Sequence, residues 1–468
     1  MSRRTTATFG VLVVAATAFA LLQAMVIPVL PQIQRALDTD ARSVTWVVSA
    51  YLLSAAVATP VVGRLGDAVG KKPMLVTALL LLAAGSLGAA FAPDIRVMTA
   101  ARALQGIGGA VMPLAFGIVR DEFPGDRVPF AIGVLAALGG IGASAGLVLA
   151  GPLVALWGYR WLFLLPMVVL VVTAAAAAAV VRPSATRAEP ISWAPAPFLA
   201  GALATFVLAT TNASGWGWTD RRTAGLYALS ALLGLLWYRL ESRAAHPLID
   251  LRMMAIPAVR SGNIVSFLLG FAMFAVYAFV PQILQAPAST GYGAGTSVTG
   301  SGLLMLPLAS AVFLGGLAAA RLVRRAGSRR VVVAACAVIA VCLAAVAWRY
   351  ATAWQLVTAL GVYGLALGVA LASLATLVVV SVPASQTAVA GAVNFNARNI
   401  GGAVGTAVTA TVVTAHLDGG GVPLASGYTA GFVVLAVSMA LATALAAAIP
   451  VAAGGGTFLT KRMVGNTR

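Results

Sequence analysis

The chain has 468 residues, of which 61% are apolar and only 9% charged, with a mean hydropathy of +0.98. Soluble domains run at roughly 45–50% apolar and about 25% charged, so too few polar residues exist to seal soluble cores, and a soluble enzyme is excluded. The net charge of +18 is scattered over short loops. It lacks the clustered basic face and stacking aromatics of a nucleic-acid binder, and points instead to anionic lipid headgroups.

Fourteen apolar runs are long enough to cross a ~30 Å hydrocarbon layer as helices. In chain order they fall near 9–30, 44–62, 74–92, 97–119, 129–155, 161–181, 194–215, 223–240, 261–284, 299–320, 331–348, 354–380, 388–415 and 428–450. The first is too long for the apolar core of a signal peptide and is expected to stay as an anchor. Loop Lys and Arg fall on the side of the N-terminus by about three to one, which predicts both termini in the cytoplasm and a multi-pass plasma-membrane protein. Trp216 and Trp218 are expected in an interfacial aromatic belt. Cys336, Cys342, His246 and His416 have no metal-ligand spacing or disulfide pattern, so neither a metal site nor a cofactor is predicted.

A repeat organises the runs. Gly63-Arg-Leu-Gly-Asp67-Ala-Val-Gly70-Lys71-Lys72 follows the second run and Ala320-Arg-Leu-Val-Arg-Arg-Ala-Gly327-Ser-Arg329 follows the tenth, matching at Leu65/Leu322, Gly70/Gly327 and Lys72/Arg329. Repeats of this kind mark transporter folds built from two related bundles. The predicted fold is therefore all-α and integral to the membrane. Two six-helix bundles (1–185 and 258–452), related by pseudo-two-fold symmetry, are joined by a linker (186–257) with two extra spans and followed by a tail (453–468). Glycine in the repeated loop permits a tight turn, and Asp67 is expected to share a basic partner, Lys71, with Asp121 or Glu122.

Small residues recur every four positions at Gly142, Gly146 and Ala150, and again at Gly401 and Gly405, giving stripes that allow close helix approach. Two arginines fall inside runs. Arg102 lies roughly 9 Å below a helix end, within snorkelling reach of headgroups, whereas Arg398 lies nearer mid-span and must face protein or water. All twelve acids fall in loops or at helix ends. Asn263, Phe267 and Phe271 share one helical face.

These residues resemble the major facilitator superfamily, most closely its fourteen-helix drug:proton antiporter group. The loop 63–72 is similar to the superfamily signature Gly-x-Leu-x-Asp-x-x-Gly-basic-basic. Arg102-Ala-Leu-Gln105-Gly106 resembles a motif associated with proton coupling. Gly142 to Gly151-Pro152 is loosely similar to an exporter motif, with Leu147 in place of its proline and Ala150 in place of one glycine. The resemblance implies Arg102, Gln105, Gly106 and Asp67 as proton-coupling candidates, and the glycine stripes with Gly151 and Pro152 as rocking surfaces between the halves. It also implies a cavity drawing on Gln23, Gln105, Asn263, Phe267, Phe271, Tyr277 and Tyr363, with Arg398 as a further polar group. Many relatives carry a carboxylate in the first span where this chain has Gln23. Coupling then runs through Asp67 with Asp121 or Glu122, or through a titrating substrate, or is absent.

The functional expectation is a monomeric secondary transporter exporting small amphipathic molecules, with protons as the coupling ion and a substrate that is not a permanent cation. A facilitator or importer of the same fold is the alternative. No phosphate-binding loop of the Gly-x4-Gly-Lys-Ser/Thr type is present, so ATP is not expected as the energy source. Nor is there an intramembrane nucleophile or carboxylate pair to support an enzyme.

Overall fold

In the computed structural model the described residues are 3–26, 29–39, 41–125, 127–184, 192–348, 353–416 and 423–449. The expected 453–468 tail, the start of the linker and Asp40, Asp126, Glu189 and Asp418 lie outside them. The first half comprises α1 (Arg3–Met25), α2 (Leu30–Ala36), α3 (Ala41–Val69), α4 (Lys71–Ala90), α5 (Ile95–Ile107), α6 (Val111–Glu122), α7 (Val128–Trp157) and α8 (Trp161–Val180). Next come α9 (Ala196–Trp216), α10 (Arg221–Arg243) and the short α11 (Leu251–Ala255). The second half comprises α12 (Pro257–Gln285), α13 (Val298–Leu304), α14 (Leu306–Ala326), α15 (Ser328–Trp348), α16 (Ala353–Val380), α17 (Thr387–Thr414) and α18 (Ala425–Ala447).

Local chemistry sets where these helices begin. Asp94 caps α5 by accepting the Arg96 and Val97 N–H groups at 2.8 and 2.9 Å, and Asp220 and Asp250 cap α10 and α11 in the same way. Gly70 (φ 119°) and Gly327 (φ 81°) turn the chain between α3 and α4 and between α14 and α15, the two places the repeat singles out. The run at 97–119 is interrupted by a 3-10 turn over Gly108–Ala110, where Gly108 is packed onto Leu82 and Gly109 against Thr59 and Ala55.

Among the described residues, twelve helices are long and apolar enough to cross a membrane. The expected fourteen also include α7 and α17, which are 30 and 28 residues long. Asn394, Asn396, Arg398 and Asn399 make α17 too polar to meet the same hydropathy standard. The expected run at 9–30 is displaced as a helix, which begins at Arg3 and ends at Met25.

Pairing repeats between the halves. In the first half α1 packs on α7 and α8, and α4 on α5 and α8, with α3 on α5; in the second, α12 packs on α17 and α18, and α15 on α16 and α18, with α14 on α16. Each half has its own apolar core. The halves meet where α3 crosses α17 and where α7 crosses α14. Helix α9 lies along α10 and rests on both α3 and α17, while α10 buries only Thr223 and Glu241.

Candidate functional site

The loop between α3 and α4 is bonded to the opposite half. Gly63 packs so closely on α17 that a Cβ there would lie 2.8 Å from the Ala392 Cβ and 3.1 Å from the Ala388 carbonyl oxygen. One turn later Asp67, 8% exposed, accepts the backbone N–H groups of Ala388 (3.3 Å) and Val389 (2.9 Å). These belong to the first turn of α17, where unpaired N–H groups and the helix dipole favour a negative charge. Lys71 is also buried, and its Nζ donates to both Asp121 oxygens at 3.0 and 2.9 Å while lying 3.7 Å from Asp67. Gly117 makes room for the lysine stem, since a Cβ there would lie 2.8 Å from Cδ. Leu65 and Lys72 are half-buried.

Asp121 and Glu122 therefore part company. Glu122 accepts the Thr8 hydroxyl at 3.0 Å and the Arg182 N–H at 2.9 Å, tying the start of α1 to the segment after α8 rather than sharing Lys71. Two further residues outside the sequence motif bond across the halves. Arg120 donates to the Val379 carbonyl and to the Thr387 hydroxyl (3.0 Å) in the opposite half, and Asn396 donates to the Ala56 carbonyl at 2.6 Å. The signal in the sequence is an amide, Asn396, inside an apolar run, and a basic residue, Arg120, just beyond the end of another. The gate borders a cavity of about 270 Å³ lined in part by Arg64, Asp67, His246, Asp250 and Gln386.

Arg102 does not snorkel. It is 1% exposed; its Nε donates to the Val47 carbonyl at 2.9 Å, one terminal nitrogen to the Gln105 Oε1, and the guanidinium lies 4.6 Å from the centre of the Tyr51 ring. Gln105 passes the chain on to the Ser86 hydroxyl at 2.9 Å, which donates to Leu82. Buried donors need partners, and this site supplies them from α3 and α4 in place of headgroups. Gly106 permits the crossing, because a Cβ there would lie 2.5 Å from the Tyr51 carbonyl oxygen.

The glycine stripes pack within the halves rather than between them. Gly142 and Gly146 face Ala20 and Ala24 of α1, while Gly401 and Gly405 face the Phe267 and Phe271 carbonyls of α12. Spacing shows that a helix has a small face, and the tertiary fold decides which neighbour fills it. Between the halves the close crossing is Gly133 of α7 against Gly316 of α14, and Gly151 lies near Thr299 of α13. Pro152 is exposed within α7. The Trp218 indole donates to the Thr411 hydroxyl at 2.8 Å, pinning the linker to α17 in addition to any belt role.

Among the expected cavity residues, Asn263 accepts the Asn394 amide at 3.0 Å, and Asn394 also donates to the Ser266 hydroxyl at 2.8 Å. Phe267 is half-buried and Phe271 buried, with their backbones against α17. Gln23 is half-buried on α1. The Tyr277 and Tyr363 hydroxyls are buried without a hydrogen-bond partner. Arg398 stacks on Phe395 at 4.7 Å, and Phe395 meets Phe19 of α1 at 6.2 Å.

The family model described as Major Facilitator Superfamily matches residues 12–406. A tetracenomycin C resistance and export protein of Streptomyces glaucescens is 27% identical over 392 residues, 83% of this chain and 72% of that one. The multidrug resistance protein Stp of Mycobacterium tuberculosis is 28% identical over 402 residues, 85% and 74% of the two chains. Among solved structures, the human organic anion transporter MFSD10 superposes with a TM-score of 0.67 at 17% identity, covering 95% of this chain and 99% of that one. The proton:xylose symporter XylE gives 0.64 at 12% identity and 94% of each. At such identities the two structures speak for the fold alone. The chain belongs to the major facilitator superfamily and is a multi-pass membrane transporter.

Proposed function

We propose that this transporter is a secondary exporter of small amphipathic molecules of the drug, antibiotic or natural-product kind, working by alternating access with protons entering in exchange. In this reading it acts as a monomer in the plasma membrane with both termini cytoplasmic. Units 1–185 and 258–452 rock against each other, linked by 186–257. The observation that carries the reading is the bond from Asp67 to the first turn of α17. It joins the halves at one end only, through groups that water can satisfy once the ends part. The names of the relatives from Streptomyces and Mycobacterium, a resistance and export protein and a multidrug resistance protein, support outward transport of drug-like cargo.

A facilitator without proton coupling is the second reading, favoured by Gln23 in the first span, where a carboxylate is common in the family. Flux in oriented proteoliposomes under an imposed pH gradient, with internal pH recorded, separates the two. Substrate moving uphill as protons enter establishes antiport. Saturable movement only down its own gradient establishes the facilitator, and no saturable flux of any probe rejects both.

A further inference from the structure

The two repeated loops are both basic, and their charges are balanced differently. In the first, Lys71 opens α4, is 4% exposed, and its ammonium lies 2.9 Å from Asp121 and 3.7 Å from Asp67. In the second, the register of the repeat puts Arg321 at the place of Arg64, Arg324 at that of Asp67 and Arg329 at that of Lys72. A base stands where the acid was. Residues 321–330 thus hold five arginines, Arg321, Arg324, Arg325, Arg329 and Arg330, and the sequence from Leu251 to Leu417 contains no Asp or Glu. Four of the five are exposed and Arg329 is half-buried; among the described residues their side chains enter no ion pair and no hydrogen bond.

Their placement adds a cost that an anion removes. On α14, Arg321 precedes Arg324 and Arg325 by three and four positions, where like charges on one helical face repel. Arg329 and Arg330 lie in the first turn of α15, the positive end of its dipole, with no acid in that turn to offset them. Gly327 alone separates the two helices, and both are long and apolar enough to cross a membrane. The arginines are therefore held at the level of lipid headgroups. Leu322 stands exposed among them, and Leu314, Val338 and Val341 are exposed farther along the same helices, leaving apolar surface for acyl chains beyond the charges.

We propose that the turn between α14 and α15 is a docking surface for the headgroup phosphate of an anionic phospholipid such as phosphatidylglycerol. The guanidinium forks supply paired donors to its oxygens, and the unopposed charge draws the lipid from its neutral neighbours. The first half balances its loop cations with its own carboxylates, and the second takes the missing charge from the bilayer. The contact is read without flux, so it stands or falls apart from the exporter reading.

The test places a bimane label at the exposed position Ala326, as Ala326→Cys, in the full chain lacking Cys336 and Cys342 and reconstituted in phosphatidylcholine nanodiscs. Quenching is compared when a minor fraction of the lipid is replaced by brominated phosphatidylglycerol or by equally brominated phosphatidylcholine. The expected result is about tenfold local enrichment of the anionic lipid, falling to about twofold in Arg324→Gln with Arg325→Gln and weakening as sodium chloride is raised. Arg239→Gln with Arg243→Gln, an exposed pair at the end of α10, should leave the enrichment unchanged. Equal quenching by the two lipids or indifference to salt would overturn the proposal. So would an equal loss from the α10 pair, because net charge alone would then be drawing the lipid. Displacement by millimolar inorganic phosphate at constant ionic strength would give the site to a free anion and overturn it as well. If the double variant does not fold, the salt series on the unmodified arginines decides.

Discussion

Lys71 and Asp121, fifty residues apart, are held together by two hydrogen bonds of 3.0 and 2.9 Å from one ammonium to both carboxylate oxygens. The adjacent acid, Glu122, serves a different pair of partners. A double-mutant cycle of Lys71→Met with Asp121→Asn, read by reversible denaturant titration in mixed micelles, should give a coupling of about 1–2 kcal/mol. The same cycle with Glu122→Gln should give less than about 0.5 kcal/mol. Equal couplings would contradict the assignment of partners.

Asp67→Asn keeps an acceptor oxygen but removes the charge opposite the first turn of α17. The expected loss is about 0.5–2 kcal/mol of the closed gate, a roughly 2- to 30-fold shift toward opening at that end. Spin labels at the exposed positions Val69 and Ser385, in a background lacking Cys336 and Cys342, should report a longer distance population. An unchanged distance distribution would show that the charge does not hold the gate.

Gly316→Val places a side chain against Ala137 and the Gly133 carbonyl at the crossing of α7 and α14. It should cost about 1–3 kcal/mol and lower the thermal midpoint together with transport. Gly234→Ala on α10, where a Cβ meets nothing within 4 Å, should be neutral or stabilising by up to about 1 kcal/mol. A reversal of that order would remove close packing as the reason for the glycine at 316.

Gln105→Leu strands the Arg102 terminal nitrogen and removes the donor to the Ser86 hydroxyl, which still donates to Leu82, with an expected cost of about 1–3 kcal/mol. Arg102→Lys retains the charge but not the fork that reaches both Val47 and Gln105, and should be destabilising to a similar degree. Wild-type stability in either variant would mean that the arginine is held by something else.

The helices were readable because an apolar run of about twenty residues has one economical structure in lipid. The turn between α3 and α4 was readable because Gly70 and Gly327 answer to the same backbone need. Partnership was not. Nothing in the local sequence separates Asp121 from Glu122, because which acid meets Lys71 depends on the rotation of α6. The stripes at 142–150 and 401–405 give a small face without an address, and the crossing of the halves uses another small pair at the same spacing, Gly133 and Ala137, against Gly316. Arg102 was misplaced for a related reason: distance to a helix end measures where a side chain can reach, not which buried acceptors lie nearer. Asn394 and Asn396 belong to no motif, and the partners that repay burying an uncharged amide in a span, Asn263 and the Ala56 carbonyl, are far away in sequence.

The bond from Asp67 to the first turn of α17 has a genetic asymmetry. Its accepting side is a single carboxylate, Asp67, which one base change can delete. Its donating side is the backbone N–H of Ala388 and Val389, which every amino acid but one provides alike. The hydrogen bonds themselves thus survive any replacement but proline, while packing limits drift, because Ala388 and Val389 are buried and a Cβ at Gly117 would lie 3.6 Å from that of Ala388. Proline is also the informative exception, because a first helical turn tolerates it and the helix survives while the donor is lost. The bond therefore places its side-chain constraint on the acid across the seam, and the constraint at 388 and 389 comes from packing instead.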